Sequence, residues 1–360
     1  MSDTAEPPVL VERLGSLGII RLNRPAVLNS LNLEMVGLID AALDRFETET
    51  GIVALLLEGA GERGLCAGGD IRAIQQSIAA GNLDWIAFLA AEYRLNARIA
   101  RLALPYVALM DGIVMGGGVG LSAHGRFRIA TDRLRLAMPE VGIGFFPDVG
   151  ASWLLSRPGS ELGTYLALTG YPCGAGTAIA AGLANVCISA RDARGLTEAL
   201  AQLPSGSGHD AVEELIARVA KAPDPELRDS SLEMIDRCFA GNSMTEIMDA
   251  LGQEKRQEAK EIRAWLAMQC PTSLKVTLRL MRAGRTQPDL ESCLAMEFTA
   301  ARHMLVRSDF REGVRAVLVD KDRKPRWQPG DLRDVDDTQV DSWVSPGSGF
   351  PTKDDWHARG

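Results

Sequence analysis

Short apolar runs closed by turn residues recur through the first half of the chain. Residues 17–23, 53–61 and 105–112 each carry a hydrophobic stretch that ends at Asn or Gly, as buried strands do. Residues 32–48 instead show apolar positions at helical spacing behind an N-capping candidate. Further strands are predicted at residues 127–132 and 134–140. This alternation of strands and helices predicts an α/β core.

The pattern changes near residue 204. Residues 204–210, PSGSGHD, are rich in turn formers and mark a candidate boundary. Helical spacing dominates beyond them, with helices predicted at residues 247–269, 270–284 and 290–306. Ser243 and Glu246 form a capping box before the first of these helices. We therefore expect a core over residues 1–203, a helical region over 204–330 and an extended, Pro-, Gly- and Asp-rich tail over 331–360.

Composition and charge limit the classes of protein to which this chain can belong. Apolar residues make up 46% of the chain and charged residues 24%, values typical of globular proteins. The formal net charge of −8 argues against a nucleic-acid partner. The six cysteines include no C-x-x-C pair and the four histidines are not clustered, so we predict neither disulfides nor a metal site.

We also find no targeting signal and no membrane-spanning segment in the amino-acid sequence. No run of about twenty apolar residues occurs, so we predict no membrane-spanning helix and no membrane partner. The first residues are acidic and lack a basic segment followed by an apolar one. We therefore expect no secretory signal and no transit peptide. We predict that the protein is cytoplasmic.

Two glycine-rich turns each follow a predicted strand and precede a predicted helix start. Their sequences are LCAGGDIRAI at residues 65–74 and MDGIVMGGGVGL at residues 110–121. Backbone N–H groups at a helix start point outward, and two that converge on one point would stabilise an oxyanion. The candidate donors are the amides of Gly68 or Gly69 and of Gly117. The alternative is that each segment is only a turn; the glycine motifs that bind phosphate are absent.

Two carboxylates stand out in the segment MPEVGIGFFPDVG. Glu140 and Asp148 are eight residues apart with no other charge in the segment. In apolar surroundings such a pair can divide general acid and base work, because desolvation raises the pKa of a carboxyl towards neutrality. The alternatives are a solvated strand end for Glu140 and a helix N-cap for Asp148. Cys66 is interpreted as a packing residue and Asp70 as a helix cap.

Five segments occur in one order: NRPAVLNSLN (23–32), GLCAGGDIRAI (64–74), DGIVMGGGVGLS (111–122), AMPEVGIGFFPDVGASWLL (137–155) and LTGYPCGAGTAIAAGLANVCI (168–188). That combination resembles the crotonase superfamily, the enoyl-CoA hydratase/isomerase group. The resemblance implies a ββα spiral core followed by a helical C-terminal region that supports self-association, hence a homo-oligomer, or covers the active site. It also implies an acyl-CoA substrate whose thioester oxygen is held by Gly117 and the Gly68/Gly69 turn.

The position of a second carboxylate separates branches of this superfamily. Hydratases hold a water between two glutamates; one matches Glu140, and the other matches Gly120, which has no side chain. The chain resembles the thioester-hydrolysing branch over residues 10–328, including AEYRLN (91–96), CPTSLKVTLRLM (270–281) and DFREGVRAVLVDKDRKPRW (309–327). This resemblance implies that Glu92, Gly117, Glu140 and Asp148 contact substrate or take part in catalysis.

The implied reaction is hydrolysis of a short 3-hydroxyacyl-CoA, with CoA as part of the substrate and no cofactor. Glu140 would attack the carbonyl or deprotonate a water, and the sequence leaves both open. Asp148 would bind the 3-hydroxyl or assist proton transfer, and Glu92 would help select the acyl chain. The alternatives are an enoyl-CoA hydratase or isomerase on the same scaffold, and a non-catalytic acyl-CoA-binding protein. The family's lysine near the CoA phosphates is Ala26 here.

Overall fold

The computed structural model describes residues 6–157 and 159–345. These residues form two compact units that interleave along the chain. Unit 1 comprises residues 6–70, 91–136 and 173–226; unit 2 comprises 71–90, 137–172 without 158, and 227–345. The units do not follow the chain order of the predicted core and helical region. The division at residue 203 therefore stays a prediction about domains.

Strands lie in the first two thirds of the chain, where apolar runs alternate with turns. Their bounds are β1 Val9–Leu14, β2 Leu17–Leu22, β3 Ala54–Gly59, β4 Gly64–Cys66, β5 Tyr106–Met110, β6 Ile113–Met115, β7 Phe127–Thr131, β8 Arg135–Ala137, β9 Val186–Ile188 and β10 Ala220–Lys221. The predicted strands at 17–23, 53–61, 105–112 and 127–132 are confirmed with slightly shorter ends. The strand predicted at 134–140 is reduced to β8, because a 3-10 helix begins at Glu140.

Helices occur throughout the described residues. Their bounds are α1 Leu33–Thr48, α2 Ile71–Ala80, α3 Asp84–Ala100, α4 Gly117–Ser122, α5 Ala151–Leu154, α6 Leu162–Thr169, α7 Ala175–Ala180, α8 Ala193–Leu200, α9 His209–Val219, α10 Asp229–Cys238, α11 Met244–Gln253, α12 Gln257–Leu266, α13 Pro271–Gly284, α14 Leu290–Met304, α15 Ser308–Val314 and α16 Asp337–Trp343. Shorter 3-10 turns lie at Pro25–Val27, Glu140–Ile143 and Leu332–Asp334, and a π-helical turn lies at Arg315–Val319.

Unit 1 contains a mixed sheet with strand order β1-β2-β3-β5-β7-β9-β10. Neighbours from β2 to β9 are parallel, whereas β1 and β10 pair antiparallel at the edges. Leu56 stands in register with Ile19 and Val107, and these side chains join a buried cluster with Leu200 and Ile216 from α8 and α9. Burial of this apolar surface stabilises the sheet. The edge strands β1 and β10 were not predicted from the sequence.

A smaller sheet of strand order β4-β6-β8 carries the glycine turns. Strands β4 and β6 run parallel, so their carboxyl ends meet at the same edge. The turn at Gly68 follows β4, and the cluster that begins at Gly116 follows β6 and opens α4. The fold thus brings together two turns that are far apart in sequence.

Unit 2 is mainly helical. Helices α13 and α14 confirm the predictions at residues 270–284 and 290–306. The single helix predicted at 247–269 is wrong, because the chain turns between α11 and α12, where the Glu254 carboxylate accepts from the N–H groups of Lys255 and Arg256. The predicted cap is confirmed, since the Ser243 side chain accepts from Glu246 N at 3.2 Å. None of the helices in the described part of the chain is long and apolar enough to cross a membrane.

The described part of the predicted extended tail contains a helix. Asp336 caps α16 by accepting hydrogen bonds from the first turn, and Val340 and Trp343 lie on one buried face three residues apart. The Trp343 ring stacks on His303 of α14 with centroids 5.6 Å apart. The Pro-, Gly- and Asp-rich composition concealed this short amphipathic pattern. Residues 346–360 of the predicted tail lie outside the described residues.

Candidate active site

In unit 1 the two glycine turns lie against each other. Gly68 has φ +98°, a left-handed conformation that favours glycine. A methyl group built on Gly68 would lie 3.2 Å from the carbonyl oxygen of Met115 and 3.5 Å from the backbone nitrogen of Gly117. The structure therefore places the predicted donors of the two turns side by side.

The amide groups of these turns differ in their hydrogen bonding. Gly68 N donates to the Cys66 sulfur at 3.3 Å. Among residues 6–157 and 159–345, no hydrogen bond uses the N–H of Gly69 or of Gly117. Gly117 is the first residue of α4, where a helix leaves its N–H groups without intrahelical acceptors. Gly69 is thus the better placed donor of the first turn, and its role in an oxyanion hole stays a prediction.

Glu92 is buried beside the second turn. It lies on α3, and the exposed fraction of the residue is only 2%. A methyl group on Gly117 would overlap the Glu92 Oε1 atom and would stand 3.0 Å from the side chain of Leu31. Only glycine fits at position 117 while the Glu92 carboxylate occupies this space. Glu92 and Gly117, predicted together from the sequence, are in close proximity.

The cysteine next to the first turn is not built for nucleophilic chemistry. Cys66 is buried, and the pKa of its thiol is raised to about 12, mainly by burial and to a smaller extent by the Glu92 charge. A thiol with such a pKa stays protonated at neutral pH. Burial also raises the pKa values of Cys173 and Cys293 to about 12 and of Cys270 to about 11. All six cysteines are buried and free.

In unit 2, Glu140 begins the 3-10 helix Glu140–Ile143 and is buried, with 7% of the residue exposed. The C-terminal helices hold this segment through backbone contacts. Cys270 N donates to Val141 O at 3.3 Å, and Gly313 lies so close to Ile143 that a methyl group there would clash with its backbone. The extension recognised in the sequence therefore positions the loop that carries Glu140.

Asp148 is also buried, with 6% exposed. The alternative interpretation of Asp148 as a helix N-cap is wrong, because the cap of α5 is Gly150. The acceptor at this helix start is instead Glu297, whose carboxylate accepts from Gly150 N at 2.7 Å and from Ser152 N at 2.8 Å. Sequence reasoning missed Glu297. The available signal was a lone acid inside the apolar run AMEFTAA.

Position 120, where hydratases carry the second glutamate, is a buried glycine of α4. Ser122 on the same helix donates from its hydroxyl to Gly118 O at 2.7 Å, the usual back-bond of a helical serine. Within the described ranges, no group of three or more His, Cys, Asp or Glu side chains is arranged to hold a metal ion.

A cleft of about 330 Å³ in unit 1 is lined by arginines. Arg63 donates to the carbonyl oxygen of Ala26 at 3.0 Å and also contacts Pro25 O. Arg133 lines the same cleft and pairs with Asp111, and Arg135 is exposed beside it. The remaining lining residues are Leu28, Glu62, Gly112 and Ile113. A guanidinium thus reaches the loop on which the superfamily's lysine is replaced by Ala26.

Comparison with known protein families identifies the family of this chain. Residues 17–344 match the family model described as enoyl-CoA hydratase/isomerase. The chain belongs to this family. The crotonase-like fold predicted from the sequence is thereby confirmed.

Curated members of the enoyl-CoA hydratase/isomerase family are similar over almost the whole chain. The 3-hydroxyisobutyryl-CoA hydrolase, mitochondrial, of Rattus norvegicus is 41% identical over 346 residues, which cover 95% of this chain and 89% of the relative. The protein of the same name from Homo sapiens is 39% identical, with 95% of this chain and 89% of the relative covered.

Solved structures of the family carry other names. A carnitinyl-CoA dehydratase from Mycobacterium thermoresistibile is 39% identical with a TM-score of 0.88, covering 95% of this chain and 97% of that protein. An enoyl-CoA hydratase from Rhodobacter sphaeroides is 35% identical with a TM-score of 0.84, and the match covers 96% of this chain and 100% of that protein. The names of similar proteins therefore span hydrolysis of a thioester and addition or removal of water.

Proposed function

We propose that this chain hydrolyses the thioester of 3-hydroxyisobutyryl-CoA, and of similar short 3-hydroxyacyl-CoAs, to the free acid and CoA. The observation that carries the proposal is the carboxylate pattern: Glu140 and Asp148 are buried, whereas position 120 is glycine. The curated hydrolases that are similar over 95% of the chain support the same reaction.

The proposed chemistry divides between backbone amides and carboxylates. The N–H groups of Gly69 and Gly117 would donate to the thioester oxygen and stabilise the negative charge that develops on it. Glu140 would attack the carbonyl carbon, giving a mixed anhydride that water then cleaves, or would take a proton from an attacking water. Either route releases CoA as a thiolate. Asp148 would bind the 3-hydroxyl or assist proton transfer, and Glu92 would help select the acyl chain.

The arginine cleft supplies the charge that Ala26 lacks. A CoA moiety carries phosphate groups, and guanidinium groups bind phosphates through charge-assisted hydrogen bonds. Arg63 and Arg135 line the cleft, and Arg63 reaches the loop of Ala26. We assign CoA phosphate binding to these two arginines.

A second candidate function is hydration of an enoyl-CoA. The names of the solved relatives, a dehydratase and a hydratase, favour it. The glycine at position 120 opposes it, because a hydratase holds its water between two carboxylates. Isomerisation on the same scaffold has the same difficulty.

The test compares wild type with Glu140→Gln for release of free CoA thiol from 3-hydroxyisobutyryl-CoA, 3-hydroxypropionyl-CoA and crotonyl-CoA. We expect release from both hydroxyacyl thioesters, and a loss of about 100-fold or more in the variant. Glu198→Gln is the matched control, because its side chain is 55% exposed on α8. It should release thiol at the wild-type rate.

Other outcomes separate the alternatives. Consumption of crotonyl-CoA without thiol release would reject the hydrolase and favour hydration. Binding of all three thioesters without turnover would instead support a non-catalytic acyl-CoA-binding protein. Mass spectrometry of a reaction quenched in the first turnover would distinguish an acyl group on Glu140 from general-base catalysis.

The cellular setting is proposed from the names of the relatives and from the sequence. Hydrolysis of 3-hydroxyisobutyryl-CoA would serve valine catabolism. We retain the cytoplasm as the proposed location, although the rat and human relatives are named mitochondrial. A homo-oligomer formed through the C-terminal helices also stays a proposal, which sedimentation of the full chain would test.

A further inference from the structure

The chain makes an uncommon turn directly after Asp148. Val149 has φ +52° and Gly150 has φ +85°, so two consecutive residues occupy the left-handed region. Glycine tolerates this conformation, but a β-branched residue such as valine is strained in it, because its side chain crowds the backbone. Such a residue persists only where surrounding contacts hold it in place.

One distant side chain binds directly to this turn and to the residue after it. Glu297 on α14 is fully buried, with no exposed surface. Its Oε2 atom accepts from Gly150 N at 2.7 Å, and its Oε1 atom accepts from Ser152 N at 2.8 Å and from the Ser152 hydroxyl at 2.5 Å. Both carboxylate oxygens are therefore used, one on Gly150 within the strained turn and one on Ser152 after it.

Burial of the Glu297 carboxyl lowers the stability of the folded state. A buried carboxyl must lose its hydration, and replacement of such a group by an apolar residue is often neutral or stabilising. The pKa of Glu297 is raised to about 8, mainly by burial and to a smaller extent by the nearby Asp148 charge, while the three donors from Gly150 and Ser152 oppose the increase. The Glu297 charge in turn contributes to the raised pKa of Cys293 on the same helix.

We propose that Glu297 is a positioning residue that holds the strained turn at Val149 and Gly150 and thereby fixes the position of the Asp148 carboxylate. The choice of substrate in the test rests on the proposed function. The contact between Glu297 and the turn does not. Glu297 itself need not touch the substrate.

The first test uses Glu297→Gln with 3-hydroxyisobutyryl-CoA and with isobutyryl-CoA, which has no 3-hydroxyl. The variant keeps the size of the side chain but presents an N–H group to one of the backbone donors. We expect kcat/KM for the hydroxyacyl substrate to fall about tenfold or more, and to fall less for isobutyryl-CoA. Hydrogen exchange at the amides of Gly150 and Ser152 should accelerate.

The second test asks whether strain connects Glu297 to the turn. Val149→Gly removes the strained side chain, although it also removes buried apolar surface and will lower the melting temperature. In the Val149→Gly background, the loss of kcat/KM caused by Glu297→Gln should be smaller than in wild type. This coupling is a readout that simple loss of stability would not produce.

Glu161→Gln is the matched control, since this carboxylate is also mostly buried in unit 2 but pairs with Arg282 and Arg285. It should lower stability without changing the preference for the hydroxyacyl substrate. If Glu297→Gln does not fold, Ser152→Ala removes one of the three contacts, and a smaller loss of the same preference is expected.

Two results would overturn the proposal: unchanged substrate preference and amide exchange in Glu297→Gln, or strictly additive effects of Glu297→Gln and Val149→Gly on kcat/KM. Failure of the proposed function is distinguishable, because wild type would then release no thiol from either thioester. In that case amide exchange at Gly150 and Ser152 still decides whether Glu297 holds the turn.

Discussion

The candidate oxyanion donors in unit 1 are backbone groups, whereas the candidate catalytic acid and base in unit 2 are side chains. Gly69 and Gly117 offer N–H groups at two closely packed turns. At position 117, for example, a Cβ atom would overlap the Glu92 carboxylate. Glu140 and Asp148 offer carboxylates that C-terminal helices hold in buried positions. The donors of unit 1 thus lie in local turns, whereas the carboxylates of unit 2 depend on contacts between residues more than a hundred positions apart.

This difference predicts different responses to mutation. Truncation of a side chain does not remove a backbone donor, but added atoms can displace it. A carboxylate can be removed directly, or lost indirectly when its supports change. Atoms added at the glycine turns of unit 1 should therefore lower activity, as should removal of the buried carboxylates of unit 2 or of their supports.

The largest expected effect comes from Gly117→Ala. The added methyl group would overlap the Glu92 Oε1 atom, so α4 or Glu92 must move and the amide donor must shift with it. Displacement of one oxyanion donor should lower kcat about 100- to 1000-fold. The measurement is thiol release at saturating substrate.

Gly37→Ala is the control for this addition. Gly37 lies on α1, and none of the described residues would meet its new methyl group within 4 Å. We expect wild-type activity and a gain of up to about 1 kcal/mol in the free energy of unfolding, because alanine is the better helix former. Equal activity of Gly117→Ala and Gly37→Ala would remove Gly117 from the proposed oxyanion hole.

The next prediction concerns the pH dependence of the free energy of unfolding, which the buried Glu297 of unit 2 should influence. The pKa of Glu297 is about 8 in the folded chain and 4.5 without burial. Between these values the folded state binds more protons than the unfolded state, so the free energy of unfolding falls as pH rises. Wild type should lose about 2–3 kcal/mol relative to Glu297→Gln between pH 5 and pH 7.

Denaturant titrations of both proteins across this pH range provide the measurement. The nearby ionisable groups Asp148 and Cys293 are present in both, so their contributions largely cancel in the difference. Parallel stability curves for wild type and Glu297→Gln would show that Glu297 does not titrate in this range. The contacts of its carboxylate with the turn would then be those of an ionised group.

The smallest effect is expected from Arg63→Ala. Removal of this guanidinium leaves Glu140 and the amide donors unchanged, so kcat should stay near the wild-type value. KM for the acyl-CoA should rise about tenfold, the usual scale for one charge-assisted hydrogen bond. Arg126→Ala is the control, because that side chain is 56% exposed. A changed kcat with an unchanged KM would contradict phosphate binding by Arg63.

Local patterns predicted much of the fold. Apolar runs located the central strands, helical spacing located α1, and the Ser243 cap located the start of α11. The break between α11 and α12 was missed because no Gly or Pro marks residues 254–256. The helix α16 was missed because composition outweighed a short apolar face at Val340 and Trp343.

The candidate site was predicted unevenly for a physical reason. The glycine turns and the pair Glu140 and Asp148 are compact in sequence, so spacing and resemblance point to them. The contact of Glu297 with Gly150 joins residues 147 positions apart, and no local pattern encodes such a contact. A lone acid inside an apolar helical run deserves testing as a buried partner, because its desolvation needs compensation elsewhere.

The burial of all six cysteines has a practical consequence for the bench. A disulfide reagent that reports free CoA reacts with thiolates, and the native chain offers it few. Product release can therefore be followed continuously with enzyme present at high concentration. In denaturant the same reagent should titrate six thiols, so one colour reaction reports both turnover and loss of the folded state.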